Sequence, residues 1–234
     1  LSYGSAAAAI EKWREAFDLR LVPTVRPLRR PPRERSRENP LLQAARRIRS
    51  QVVVAVAVNR STILDGVELM HALEFLIPEI TAEQLPRPFI AVATDFETGT
   101  EVRLSGGDLR TILRASSAIP GVVPAVDVDG RRLVYGGVLA EVPVAAARSI
   151  GRPVVAVSVA MDIPPIGADD LVLDTMQRAH MMTGRRLREQ QLRRAGGVIE
   201  PMVSYATWAD WNRFEDLIEI GRAAAREFLG LAAG

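Results

Sequence analysis

Ile10, Trp13 and Phe17 recur at intervals of three and four in an alanine-rich stretch, and this spacing predicts a helix over 5–17. The pattern breaks at 23–39, where Pro23, Pro27, Pro31 and Pro32 interrupt any helix and six arginines from Arg26 to Arg37 crowd together. That segment reads as a loop or cover. Next, 51–59 (QVVVAVAVN) is a β-branched run that suits a buried strand, although periodicity alone does not separate strand from helix there. Leu69, Leu73, Leu76 and Ile77 give 65–77 one apolar helical face. The run 88–94 (PFIAVAT) is apolar on both faces, as in a strand covered on both sides.

Farther on, 101–104 alternates and predicts one strand of a short antiparallel pair. Asp108 stands where a helix carrying Leu109, Ile112 and Leu113 needs an N-cap. The segments 122–128 and 131–134 flank Asp129-Gly130, a strong hairpin signal. A helix over 142–150 leads into 154–159, predicted as a second fully buried strand, and helices over 169–194 and 212–229 complete the chain. The last helix places Phe214, Leu217, Ile218, Gly221, Ala225 and Phe228 on one face. Buried strands alternating with helices predict an α/β domain, a mainly parallel central sheet between two helical layers, with the 129–130 hairpin as an antiparallel decoration.

Composition narrows the chemistry. The 234 residues are 48% hydrophobic and 25% charged, enough for one domain with a substantial core. No run of eighteen apolar residues predicts a membrane span, and no secretory leader is visible. Cysteine is absent, which excludes disulfides, thiol nucleophiles and Cys-ligated zinc. The two histidines, His71 and His180, fall on separate predicted helices, so no metal site is expected. His180 continues the stripe Leu173, Met176 and Leu187, the pattern of a core histidine, whereas His71 reads as a helix-surface residue. Formal net charge is only +2, and Lys12 is the sole lysine. The abundance of arginine therefore reads as a general bias of composition.

Four blocks carry a more specific signal. Ala93-Thr94-Asp95-Phe96-Glu97-Thr98-Gly99 resembles the A-T-D-x-x-T-G motif of bacterial patatin-like proteins. Eleven residues on, 110–121 (RTILRASSAIPG) is similar to that family's R-A-S-x-A-I-P-G helix. Residues 131–138 (RRLVYGGV) resemble its x-x-L-V-D-G-G-V, and 141–151 its P-V-x-x-A-R-x-x-G stretch. Order and spacing agree over about 86–160.

The resemblance implies a three-layer α/β/α patatin-like domain that hydrolyses acyl esters with a serine–aspartate pair and no cofactor. The family's serine sits in G-x-S-x-G, a tight strand-to-helix turn. Here Ser2 and Gly4 match the serine and second glycine, and a predicted helix follows directly. The resemblance also implies a first strand and a glycine-rich oxyanion loop ahead of the elbow. Residues 1–234 accordingly read as a single domain without those two parts, with 23–39 as its loop or cover.

The family's acidic position, followed by Gly136 and Gly137, is Tyr135. A phenol with a pKa near 10 is a poor proton acceptor at neutral pH, and general-base assistance contributes about 10²–10⁴ in rate. Two readings follow: a lipid acyl-ester hydrolase acting through Ser2 but impaired at Tyr135, or a degenerate relative that binds acyl lipids without turnover. Among other acids, Asp127 and Asp129 read as solvated hairpin residues, and Asp95 as structural. The 26–37 arginines fit an anionic membrane surface as well as a plain solvated loop. Without aromatics in the segment, nucleic acid is not an expected partner. The expected location is the cytoplasm, peripheral to a membrane.

Overall fold

The computed structural model describes residues 4–21, 62, 66–159, 162–163, 172–203 and 213–231. The 23–39 segment and the 51–59 run lie outside the described residues, as does Ser2.

Helix α1 (Ala6–Asp18) begins where expected, with the Ser5 hydroxyl accepting from the Ala8 amide at 3.1 Å. Its buried Ala16 packs on Leu76 of α2 (Val67–Leu76). Lys12 lies 3.7 Å from the ring centre of Phe75 on α2 and pairs with Glu15 at 2.8 Å. After a short 3-10 turn (Ala82–Gln84), β1 (Ala91–Asp95) and β2 (Thr100–Leu104) form an antiparallel pair.

Asp108 caps α3 (Leu109–Ser116): its carboxylate accepts from the Thr111 amide at 2.8 Å. The Asp129-Gly130 hairpin then joins β3 (Val126–Val128) to β4 (Arg131–Tyr135). Both turn residues have positive φ, 51° and 74°, the backbone that this two-residue connection requires.

The sheet order is β2-β1-β4-β3, and every pairing in it is antiparallel. The α/β reading holds, but a mainly parallel central sheet is not what these strands form. The hairpin is no decoration either. Beyond Leu133, β4 continues along β1, pairing Ala93 with Tyr135 and Asp95 with Leu133. The hairpin strand therefore lies inside the sheet.

As the apolar run predicted, β1 is buried throughout. On one face Ala93 joins Val102, Val126 and Leu133 against Ala115 of α3, and Ala91 meets Leu109 and Ile112. On the other, Val92 packs on Ala140 and on Ala146 of α4 (Val144–Ile150).

Residues 155–157 form β5 (Val155–Val157), which pairs in parallel with β6 (Gly197–Ile199). It is not fully buried: Ala156 is enclosed, but Val155 and Val157 are 49% and 58% exposed. Val155 and Val157 point to the same face of the pleat, and that face has no covering layer among the described residues. Between these strands runs α5 (Val172–Leu192), and α6 (Phe214–Phe228) follows. The predicted face of α6 is half-buried: Phe214 meets Phe17 at 5.7 Å between ring centres, and Phe228 lies against Gly197. Arg14 of α1 also grips Glu215 with two nitrogens, at 2.5 and 2.9 Å. His71 is exposed, as predicted. His180 is also exposed, and Met176 beside it is 64% exposed, so this stretch of α5 turns the predicted stripe to solvent.

Candidate active site

The four motif blocks meet around β1. Ser116, at the end of α3, donates its hydroxyl to the Val92 carbonyl at 2.8 Å. Arg110, one turn inside α3, donates to the carbonyls of Ile77 and Glu74 at 2.8 and 3.0 Å. It thereby satisfies carbonyls that the end of α2 leaves without helical partners. At the far end of β1, Asp95 Oδ1 accepts from the amides of Glu97 and Thr98 at 3.0 and 3.1 Å. The Thr98 amide is the chief reason that the Asp95 carboxyl lies below its ordinary value of 3.8, with burial opposing the shift. This carboxylate folds the turn between β1 and β2.

The Tyr135-Gly136-Gly137 block leaves β4 and enters a 3-10 turn (Gly136–Val138). Two backbone features fix it. The Tyr135 amide donates to the Ala118 carbonyl at 2.8 Å, tying the turn to the start of the A-I-P-G segment. At Gly136 the chain passes so close to Val92 that any Cβ would overlap its carbonyl group. A backbone clash cannot be relieved by a rotamer change, so glycine is needed there for space. The Tyr135 ring folds back over Gly137, where a Cβ would strike the ring and its hydroxyl. The side chain remains 37% exposed.

Burial raises the Tyr135 phenol above its ordinary value of 10.0, and the Glu141 carboxylate pushes it the same way. Near neutral pH the group is therefore a protonated donor. Glu141, which sequence reasoning quoted only as part of the P-V block, is the carboxylate whose charge reaches Tyr135. It lies 3.9 Å from Arg188 of α5, a guanidinium that is only 12% exposed. The signal was available in the chain: six residues containing a tight turn bring position 141 back towards 135. Asp127 and Asp129 are exposed on the hairpin, as expected, with Asp127 4.0 Å from Arg132. Gly4, just ahead of α1, has φ of 74°, a backbone that favours glycine.

A family model described as patatin-like phospholipase matches residues 2–148, more than half of the chain. The chain belongs to the patatin-like phospholipase family. Uncharacterized NTE family proteins of Mycobacterium bovis and Mycobacterium tuberculosis are 39% identical over 89 residues, covering 38% of this chain and 25% of theirs. A second uncharacterized NTE family protein of Mycobacterium tuberculosis is 30% identical over 173 residues, covering 63% of this chain and 30% of its own. The chain thus spans about a quarter to a third of the length of the curated relatives it matches. Among the described residues, no helix is long and apolar enough to cross a membrane.

Proposed function

We propose that this patatin-like chain carries the machinery of a lipid acyl-ester hydrolase, with Ser2 as nucleophile, and that Tyr135 suppresses its turnover. The observation that carries the reading is the Tyr135-Gly136-Gly137 turn. Its backbone is held by Ala118 and by close approach to Val92, while its side chain is a phenol with a raised pKa. A serine hydroxyl attacks an ester carbonyl only as its proton leaves, and a protonated phenol does not accept that proton at neutral pH. Gly4 supports the elbow assignment through its positive φ, and α1 follows it directly. The substrate class is a lipid carboxylic ester; water would release the acyl group from Ser2. No cofactor takes part in this scheme, and the arginines over 26–37 would meet anionic headgroups. The alternative is an acyl-lipid-binding protein that has lost the chemistry, and the same phenol favours it.

The test is a set of variants assayed with a fluorophosphonate probe and p-nitrophenyl butyrate. In protein extended upstream of Leu1 to include a first strand and oxyanion loop, Tyr135→Asp is expected to raise hydrolysis by about 10²–10⁴. Adding Ser2→Ala should abolish both the gain and the probe labelling. If Tyr135→Asp remains silent and Ser2 is never labelled in folded protein, the hydrolase reading fails. Saturable binding of a fatty acid by that same silent protein would then support the alternative.

A further inference from the structure

The C-terminal end of α4 borders a second feature, at the other end of that short helix from Glu141. Seven residues of helix separate the two ends by about 10 Å. An open groove of about 530 Å³ lies there, lined by Ala145, Arg148, Ser149, Arg152 and Arg194. Three arginines line it, and no carboxylate residue does among the described residues.

Several other described arginines have a carboxylate partner. Arg14 pairs with Glu11 and Glu215, Arg103 with Glu101, Arg185 and Arg186 with Glu189, and Arg222 with Glu219. Around the groove, Arg148 donates one nitrogen to the Arg194 carbonyl at 2.9 Å, and the Ser149 hydroxyl donates to the Ala146 carbonyl at 2.6 Å. Arg152 and Arg194 have exposed side chains with no ion pair among the described residues. The ends of α4 and α5 contribute partial negative charge, but each helix terminus amounts to only about half an elementary charge. Three full positive charges outweigh that. The Arg148 bond also ties the end of α4 to the segment after α5, so part of the groove wall is held in place.

We propose that this groove is a binding site for a phosphate monoester, gripped by Arg152 and Arg194 with Arg148 behind them. The planar guanidinium fork matches two phosphate oxygens at once, and a dianion offsets the mutual repulsion of the arginines. A free phosphate compound and the headgroup of a phosphatidic-acid-like lipid present the same chemistry. The assignment does not depend on Ser2 or Tyr135.

The experiment compares the full chain with Arg152→Gln/Arg194→Gln. Binding of inorganic phosphate is measured by calorimetry, and cosedimentation is measured with phosphatidylcholine vesicles with and without phosphatidic acid. Unchanged circular dichroism and melting temperature are expected, because both side chains are exposed and make no ion pair among the described residues. Phosphate affinity should fall roughly tenfold or more in the double variant, from the loss of two charge-assisted contacts. A parallel loss of binding to the phosphatidic acid vesicles identifies a lipid headgroup as the source. Phosphate binding without variant-sensitive vesicle binding identifies a soluble phosphate ester. The proposal is overturned if the unsubstituted chain binds neither probe saturably, or if the double variant binds both as well as it does.

Discussion

The strands β1 and β5 look alike in sequence and end in opposite surroundings. Both contain alternating alanine and valine a few residues after a proline, β1 beginning Ala-Val-Ala and β5 reading Val-Ala-Val. Every residue of β1 is buried, because β2 and β4 flank it and α3 and α4 cover its faces. In β5 only Ala156 is buried, and Val155 and Val157 are exposed beside β6, its one partner among the described strands. An apolar run states that a strand tolerates burial. The number of neighbours and covering helices decides whether burial happens.

The comparison can be tested by substitutions in both regions. Leu133 of β4 is completely buried in the cluster around Ala93 and Ala115. Leu133→Ala should destabilise by about 2–5 kcal/mol, read as a lower denaturant midpoint. At the edge of the same unit, Asp108→Ala removes the N-cap of α3 and should cost about 1 kcal/mol at pH 7. The Asp108 carboxyl lies below its ordinary value of 3.8, first through its bond with Thr111. Its contribution is therefore complete above pH 3.8 and lost as pH falls through the depressed folded value. Denaturation curves of the two proteins should converge on acidification over that range, and a gap that widened instead would contradict the assigned cap. Smallest of all, Val157→Ser should change stability by no more than about 0.5 kcal/mol. A cost approaching that of Leu133→Ala would show that Val157 is enclosed in solution and would remove the contrast between the strands.

The features legible in the sequence were those set by local chemistry. Asp108 as a cap, Asp129-Gly130 as a turn, and the helices beginning near Ala6 and Val67 each depend on residues within a few positions. The antiparallel sheet was not legible, because it depends on β4 running past its hairpin to pair with β1, some forty residues earlier in the chain. For the same reason the central place of the hairpin escaped notice. His180 was misplaced because a helical stripe gives the direction of a face without saying that anything packs on it. At the candidate site, Tyr135 and its glycines were found by motif, whereas Glu141 needed the fold of the turn before its charge could be related to the phenol.

The near-contact of Gly136 with Val92 also bears on how this family can gain and lose chemistry. The main chain at that bend is anchored by a carbonyl, an amide and the absence of a methyl group. Whatever residue occupies position 135 thus emerges from the same point. Exchanging that one substituent alters the chemical group on offer at the bend and leaves its mounting intact.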